Sequence, residues 1–327
     1  MCDRVARLEP IGGYAMKGDP VIEVDAMSRR YGSGKGAFFA VRDLELTVAE
    51  GQLFGLLGTN GAGKTSSLEV IQGLSRPTDG SVRVLGMDPV RERRELRPSL
   101  GIMLQKGGLP QDLTARESLS MWAGTCSNPL PVDEVLERVD MRDRGDTRVK
   151  FLSGGEARRL DLACAIIGQP LVLFLDEPTT GLDPESRRNT WQLIAELKAS
   201  GVTIMLTTHY LDEAESLCDQ LAIMHRGTVV RSGTVAEVVA DHPAQIKVRR
   251  PDLLLPNLPG AEMRVEGDSV VITTATVQET LTDLLIWAQH NNVTLSGLDA
   301  RAASLETVFL SIADQFDHHV NLEGASA

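Results

Sequence analysis

A glycine-rich segment, residues 58–65, has the residue types and the spacing that bind a chain of phosphates. Its sequence, GTNGAGKT, fits the pattern G-x-x-x-x-G-K-[ST]. The glycines allow backbone N–H groups to approach phosphate oxygens closely. Lys64 can reach the β- and γ-phosphates, and the Thr65 hydroxyl can ligate Mg²⁺. The alternative interpretation is a glycine-rich turn that matches the pattern by chance.

The elements on either side of this segment favour phosphate binding. Residues 53–57 are a short apolar run that predicts a buried strand, and residues 66–74 can form a helix. A strand that turns through glycines into a helix directs several N–H groups and the positive end of the helix dipole at one point. The loop residues that we expect to contact a nucleotide are Gly58, Asn60, Gly61, Ala62, Gly63, Lys64, Thr65 and Ser66.

Two acidic residues follow a second apolar run. Residues 171–175 are continuously apolar, as in a parallel strand buried on both faces, and Asp176 and Glu177 come directly after them. Ligands bind at the carboxyl ends of the strands in open α/β sheets. Asp176 is therefore expected to hold Mg²⁺ through water, and Glu177 is expected to orient or deprotonate the attacking water.

His209 and Gln105 also follow predicted strands. His209 comes after the strand predicted at residues 202–206, at the same edge of the sheet, where it can bond to a γ-phosphate or to the water. Gln105 follows the strand predicted at residues 100–104 and opens a loop rich in Gly and Pro, from which it can meet the Mg²⁺ ion or the water. A surface glutamine is the alternative for Gln105.

Ser153 and Glu156 have the spacing of a capping box, which predicts that a helix begins at Ser153. Gly154 and Gly155 lie in its first turn, although glycine is unfavourable in a helix. The two glycines are explained if the N–H groups of this turn must approach an anion closely. A well-capped helix without a ligand is the alternative.

Tyr31 lies in a segment rich in glycine, predicted as a loop, that precedes the phosphate-binding segment. An aromatic ring at this point could stack on a purine. The alternative is a tyrosine that packs on the edge of a sheet, and Phe38 and Phe39 are competing candidates for the stacking role.

The composition limits the class of protein. The chain has 327 residues, of which 42% are hydrophobic and 24% are charged, as in soluble globular proteins. No apolar run approaches the roughly 20 residues that cross a bilayer, and the N-terminus has no signal-peptide core, so we expect a cytoplasmic location. The four cysteines lie far apart without metal-ligand spacing and predict free thiols.

The net charge of −12 disfavours nonspecific binding to nucleic acid and a polybasic grip on a membrane. If the protein acts at a membrane, another protein must therefore hold it there.

With these segments in place, residues 21–239 resemble the ATP-binding subunit of an ATP-binding-cassette (ABC) transporter. The matching motifs are residues 58–65 as Walker A, Gln105 as the Q-loop, residues 152–156 as the signature, residues 171–177 as Walker B, residues 181–183 as the D-loop, and His209 as the switch histidine. Tyr31 falls near the adenine-stacking aromatic of the family. Thr59 stands where proline is frequent and Ser66 where a second threonine is frequent, and neither departure removes a ligand.

The resemblance implies a fold and a chemistry. The fold is the α/β cassette of P-loop NTPases, with a mostly parallel sheet core, an antiparallel β edge and a helical lobe inserted at about residues 106–165. The implied chemistry is ATP hydrolysis. The catalytic residues that it implies are Lys64, Glu177 and His209, and the residues that it implies for Mg²⁺ are Thr65, Gln105 and Asp176.

The resemblance also implies partners. Two copies of the chain would associate head to tail around two MgATP molecules, so that Ser153, Gly154, Gly155 and Asp183 of one copy face the ATP of the other. A separately encoded, multi-span membrane permease would hold this homodimer at the cytoplasmic face of the membrane. No nucleic acid is expected as a partner.

Within the family, residues 207–215 and residues 304–310 are most similar to antibiotic and multidrug exporters of the daunorubicin-resistance type. This likeness implies export of a drug, an antibiotic or a lipid-like compound. A soluble cassette ATPase that acts on nucleic acid or ribosomes is the alternative function. A P-loop kinase is a third hypothesis, which the signature argues against because kinases do not use a second phosphate-contacting helix supplied by another subunit.

The predicted domains are a loose N-terminal extension at residues 1–20, the ATP-binding domain at residues 21–240, an α+β accessory domain at residues 241–317 and a disordered tail at residues 318–327. In the accessory domain the sequence predicts strands at residues 246–249, 263–265, 270–274 and 293–298, and helices at residues 277–290 and 304–316. This domain is either a packing or dimer-stabilising appendage, or it has a role in regulation or partner binding.

Overall fold

The structure is a computed structural model that describes residues 20–240, 242–301, 303–309 and 311–312. The chain divides into two compact units, with the boundary in the sequence between Ser232 and Gly233. The predicted N-terminal extension lies outside the described residues except for Pro20, and the predicted disordered tail lies wholly outside them. The assignment of residues 21–240 and 241–317 to two domains stays our proposal.

A six-stranded sheet forms the centre of the first unit. Its strand order is β5-β6-β7-β3-β8-β9, and the first five of these strands are parallel. The bounds are β3 Leu53–Gly58, β5 Leu100–Met103, β6 Val172–Asp176, β7 Thr203–Thr208, β8 Gln220–His225 and β9 Thr228–Gly233. Every residue of β3, β6 and β7 is buried, which explains why apolar and polar residues do not alternate along these strands.

A three-stranded antiparallel sheet lies at the edge of the same unit. It has the order β2-β1-β4, with bounds β1 Ile22–Tyr31, β2 Phe38–Val48 and β4 Asp79–Val84. Ile22 pairs with Val48 on one side and with Val84 on the other, and all three are buried. Apolar side chains of this sheet pack with those of helix α1, Lys64–Ile71, and of the central sheet in one core.

The other helices of the first unit include a helical lobe between β5 and β6. The bounds are α2 Arg93–Leu96, α3 Ala115–Ala123, α4 Val132–Arg138, α5 Gly154–Ile166, α6 Pro184–Ala199 and α7 Leu211–Leu217. Short 3₁₀ helices occupy Gly34–Gly36, Arg97–Ser99, Arg142–Arg144 and Val149–Phe151. Helices α3, α4 and α5 share a second core with the central strands. The α/β class, the antiparallel edge and the inserted lobe are therefore confirmed.

One local prediction in the first unit was wrong. Tyr31 is the last residue of β1, not part of a loop, because β1 continues through several irregularities in its pairing with β2. Helix α2 is only one turn long, because Pro98 follows within a 3₁₀ helix.

The second unit contains a four-stranded antiparallel sheet and a helix. The strand order is β11-β12-β10-β13, and the bounds are β10 Ala244–Arg249, β11 Ala261–Glu266, β12 Ser269–Thr274 and β13 Asp299–Arg301. Helices α8 and α9 occupy Val235–Ala240 and Val277–His290, and residues 305–309 and 311–312 are also helical. The sheet and α9 share a core that includes Ile246, Ile272 and Leu284, which agrees with an α+β unit.

The prediction of a strand at residues 293–298 was wrong. The chain there is irregular, with positive φ at Asn292 and Gly297, and the strand comes afterwards, where Ala300 pairs with Ile246. Residues 313–316 of the last predicted helix lie outside the described residues. Among the residues that the structure does describe, no helix has the length and apolar character needed to cross a membrane.

Candidate nucleotide-binding site

The phosphate-binding segment connects the end of β3 to the start of α1, as its sequence predicted. Gly63 is the N-cap residue of α1 with φ of 104°, and a Cβ atom at this position would overlap the carbonyl oxygen of Ala40. Both the backbone conformation and the close approach of another segment therefore require glycine. Asn60 and Gly61 are exposed, whereas Gly58 and Ala62 are buried.

Lys64 is the buried cation of this loop, only 5% exposed. Its Nζ atom donates to the carbonyl oxygens of Gly58, at 2.7 Å, and Thr59, at 3.2 Å. Burial lowers the pKa of Lys64, against the opposing charges of Glu177 and Asp176. A partly desolvated ammonium at the start of a helix, beside a glycine-rich turn, fits a polyphosphate group.

Thr65 and Asp176 bring two side-chain oxygen atoms together beside the phosphate-binding segment. Thr65 Oγ1 lies 3.5 Å from Asp176 Oδ1, and Thr207 also donates a hydrogen bond to this oxygen. Burial raises the pKa of Asp176, while the hydrogen bonds from Thr207 and Thr65 oppose that change. A hydroxyl and a carboxylate oxygen in contact are ligands that Mg²⁺ accepts, so the residues present fit this ion.

Glu177 and His209 meet at the carboxyl ends of β6 and β7. Glu177 Oε1 lies 3.2 Å from His209 Nδ1 and 3.9 Å from Lys64 Nζ, and Thr180 donates to Oε2 at 3.2 Å. Burial acts to raise the pKa of Glu177. The hydrogen bond and charge of His209, together with Lys64 and Gln105, outweigh burial and hold the pKa below its usual value.

The backbone of Glu177 is unusual, since its φ is 52°. Left-handed backbone in a residue other than glycine is uncommon and is concentrated at functional sites. The N–H of Glu177 donates to the carbonyl oxygen of Thr207. The side chain of Gln105, which follows β5 and is exposed, hydrogen-bonds to the Glu177 carboxylate and helps to lower its pKa. The structure thus brings Lys64, Glu177, His209 and Gln105 to one edge of the sheet.

The predicted signature residues lie at a separate place. Ser153 is the N-cap residue of α5, and it exchanges capping-box hydrogen bonds with Glu156. Ser153 and Gly154 are exposed, and Gly155 is half-buried. In the described parts of the chain, no hydrogen bond joins residues 153–155 to the phosphate-binding segment of the same copy.

Asp183, also predicted to face the nucleotide, caps helix α6. Its carboxylate accepts from the N–H groups of Glu185 and Ser186, both at 3.0 Å. The hydrogen bonds of Ser186 and Glu185 lower the pKa of Asp183 to about 2. The side chain therefore has a structural role within this copy.

Tyr31, the predicted purine-stacking residue, has several protein contacts. Its ring stacks on Phe38 with 5.8 Å between centroids, and the Arg29 guanidinium lies 4.6 Å from its centroid. The hydroxyl group donates to Glu69 at 3.3 Å and lies 3.4 Å from Ser66 Oγ in α1. Phe38 is 60% exposed, so it competes with Tyr31 for a base.

Two residues of the site were missed by sequence reasoning. Thr207 bonds to both Asp176 and the N–H of Glu177, although it stood in the sequence only as part of the segment before His209. Arg158, on the signature helix, donates to backbone carbonyls at the ends of β5 and β6. No sequence signal separated Arg158 from the adjacent Arg159, because both look like surface residues of a charged helix.

Two family models match the chain. One, described as ABC transporter, matches residues 41–180. The other, described as ABC transporter domain-containing protein-like, C-terminal domain, matches residues 243–304.

Individual relatives of the chain include ATP-binding proteins and part of an ABC transporter complex. The chain is 42% identical over 228 residues to the daunorubicin resistance ATP-binding protein DrrA3 of Streptomyces coeruleorubidus, covering 68% of this chain and 71% of that protein. It is 36% identical over 321 residues to DrrA2 of the same organism, covering 92% and 95%. The solved structure of cbiO1 from Clostridium perfringens, part of the ABC transporter complex cbiONQ, matches with a TM-score of 0.58 at 28% identity, over 68% of this chain and 92% of that one.

Proposed function

Because this chain belongs to the ATP-binding proteins of the ABC transporter family, we propose that it drives an exporter whose membrane-spanning permease is a separate chain. ATP hydrolysis coupled to transport is its activity. The observation that carries the proposal is the cluster of Lys64, Glu177 and His209 beside the phosphate-binding loop.

In the proposed mechanism, Lys64 and the N–H groups of its loop bind the phosphates. Thr65 and Asp176 would hold Mg²⁺, which neutralises charge on the phosphate oxygens. The ammonium of Lys64 already lies among carbonyl oxygens, and a phosphate is a stronger acceptor for it than these neutral groups. The loop is therefore organised for the phosphates before they bind.

Glu177 is the proposed general base for the attacking water. Its lowered pKa keeps the carboxylate ionised, so it can accept the proton of the water. Thr180 at Oε2 and His209 at Oε1 restrict the orientation of the carboxylate. His209 is proposed to hold the γ-phosphate or the water at the distance that Glu177 requires.

The signature residues are proposed to act in a second copy of the chain. The N–H groups of Gly154 and Gly155 have no acceptor among the described residues, and a Cβ on Gly154 would meet no atom within 4 Å. An open helix N-terminus with free N–H groups favours an anion supplied from outside the chain. We therefore propose a head-to-tail homodimer in which Ser153, Gly154 and Gly155 contact the γ-phosphate held by the partner, with Asp183 at the same interface.

The permease is proposed to dock beside the Q-loop and to hold the dimer at the cytoplasmic face of the membrane. Leu104, Met121 and Trp122 are each more than 40% exposed near the start of the helical lobe, and exposed apolar side chains favour a protein partner. The names of the relatives favour an antibiotic or a similar drug as the exported compound. The net charge of −12 argues against the alternative, an ATPase that acts on nucleic acid or ribosomes.

A Glu177→Gln variant tests the proposal in two steps. With MgATP it is expected to form a dimer on gel filtration with light scattering, because ATP is bound but not consumed. The tagged variant is then isolated from detergent-solubilised native membranes, where it is expected to bring down a multi-span membrane protein in near-equal amounts. A monomer at saturating ATP contradicts the dimer, and recovery of ribosomes or nucleic acid instead of a membrane protein contradicts the transporter role.

A further inference from the structure

Arg158 is a buried arginine that has no part in the proposed hydrolysis mechanism. It lies in α5, directly after the signature residues, and is 8% exposed. Its guanidinium group donates to four backbone carbonyl oxygens in two segments that are distant in the sequence. Nη1 donates to Leu104 and Gln105, at 2.6 and 3.1 Å, and Nη2 donates to Asp176 and to Glu177, the latter at 2.9 Å.

This arrangement needs the shape of arginine. One planar group bonds the end of β5 with Nη1 and the end of β6 with Nη2, and only a rigid fork presents two donors at that separation. Nearby carboxylates stabilise the positive charge of Arg158. They raise its pKa against the larger effect of burial, and they belong to Asp161, Asp176, Glu177 and Glu213.

A second contact holds the same loop to α5. Gly107 packs directly on the carboxylate of Asp161, and a Cβ at Gly107 would overlap that group. Asp161 follows Arg158 by three residues, so both side chains lie on one face of the helix. Helix α5 therefore contacts residues 104–107 at two points.

Arg158 also acts on the backbone of the catalytic glutamate. Glu177 has its N–H bonded to Thr207 and its carbonyl bonded to Arg158, so its left-handed backbone is held from both ends. A displacement of α5 would pull on one of these two bonds. The position of the Glu177 carboxylate then depends on the position of the helix that carries Ser153 and Gly154.

We propose that Arg158 is a positioning residue that couples the two ATP sites of the dimer. The inference rests on the proposed head-to-tail homodimer, in which the signature of this copy completes the site of its partner. Gln105, Asp176 and Glu177 belong to the site of the same copy that carries Arg158. When α5 moves onto the ATP of the partner, Arg158 carries that movement to Gln105 and Glu177, and hydrolysis at one site becomes dependent on occupancy of the other.

The test compares three variants of the full chain: Arg158→Met, which removes the donors; Arg158→Lys, which keeps the charge without the fork; and Arg138→Met, a control. Arg138 lies in α4 of the same helical lobe and pairs with Glu134 on the surface, at 2.6 Å. Three quantities are measured: the affinity for a fluorescent ATP analogue, the ATP-dependent dimerisation in a Glu177→Gln background, and the ATPase rate against ATP concentration.

The wild-type chain and Arg138→Met are expected to give a Hill coefficient clearly above 1. For Arg158→Met we expect a Hill coefficient near 1 and a kcat reduced by about tenfold or more, with nucleotide affinity within about threefold of wild type and dimerisation retained. Arg158→Lys is expected to lie between them in both kcat and Hill coefficient. A general defect in folding would instead lower affinity and dimerisation together.

Two results would overturn the role of Arg158 and leave the proposed dimer intact. One is a Hill coefficient of 1 for the wild-type chain although the Glu177→Gln variant dimerises. The other is unchanged cooperativity and kcat in Arg158→Met. If circular dichroism shows that Arg158→Met does not fold, the Arg158→Lys variant is used instead. A Hill coefficient equal to that of the wild type in Arg158→Lys then overturns the inference. A Glu177→Gln chain that stays monomeric at saturating ATP overturns the proposed dimer and this inference together.

Discussion

The carboxylate of Glu177 and the imidazole of His209 face each other across two neighbouring strand ends, with 3.2 Å between Oε1 and Nδ1. The residues are 32 positions apart in the sequence and meet because β6 and β7 are adjacent and parallel. Their contact connects the general base to the residue that is proposed to hold the γ-phosphate. The ionisation of the Glu177 carboxyl group therefore depends on His209.

Replacement of His209 by Gln is expected to move the acid limb of the kcat–pH profile to higher pH. The pKa of Glu177 is held below its usual value by His209, so the active carboxylate is lost only as the pH falls through this lowered pKa. Without His209, the largest effects that oppose burial are lost, so protonation of Glu177 begins at higher pH. ATPase assays that extend below pH 4.5, the ordinary pKa of a glutamate, measure the limb. An unchanged limb with a lower plateau would show that His209 does not control this ionisation.

Replacement of Lys64 by Ala is expected to weaken ATP binding by about 10- to 100-fold, because a hydrogen bond to a charged group contributes about 1.5–3 kcal/mol. Titration with a fluorescent ATP analogue measures the affinity. The matched control is Lys150→Ala, since Lys150 pairs with Asp112 on the surface at 2.8 Å, away from the phosphate-binding loop. Equal affinities in the two variants would contradict the assigned role of Lys64.

Replacement of Gly63 by Ala is expected to lower the free energy of unfolding by about 1–3 kcal/mol and to impair ATP binding. An alanine at this position must adopt a φ of 104°, and its Cβ would overlap the carbonyl oxygen of Ala40. Gly108→Ala is the control, because φ of Gly108 is not positive and no atom of the described residues lies within 4 Å of its added Cβ. Urea denaturation measures both, and equal stability of the two variants would refute the requirement for glycine at this turn.

Replacement of Asp161 by Asn is expected to stabilise the chain at pH 7.5 but not near pH 4. Burial raises the pKa of Asp161 to about 6, against the effect of Arg158. The folded chain therefore binds this proton more tightly than the unfolded chain. Its free energy of unfolding falls as the pH rises from about 4 to 6, by on the order of 1–2 kcal/mol when the remaining solvent contact is considered. Urea denaturation at both pH values measures the gain, and a loss of equal size at both would indicate a packing role for Asp161 instead.

The elements that carry the chemistry were predictable because each is local in the sequence. The turn after β3, the acids after β6 and the capping box at Ser153 are short patterns with a direct physical reason. Elements without such a pattern were less predictable. The strand at residues 293–298 was placed too early, since the apolar residues there lie in an irregular segment and Asp299–Arg301 forms the strand by pairing with β10.

Tyr31 and Arg158 illustrate a different limit. The glycines after Tyr31 indicated a loop, yet pairing with β2 extends β1 to this residue, and its ring contacts Phe38 and Arg29. Arg158 resembles any charged helical residue in the sequence, but it is buried among four carbonyl oxygens. Each outcome depends on a strand or loop that is distant in the chain.

The sequence by itself determined the phosphate-binding loop, the acids, the histidine and the family, because these depend on residue types at fixed short spacings. Only the tertiary structure decided that Glu177 lies within 4 Å of both His209 and Lys64, and that Arg158 joins the signature helix to the ends of β5 and β6. The physical reason is strand order. The strand order β5-β6-β7-β3 places the ends of these strands side by side. That order is set by packing between distant segments rather than by any local pattern.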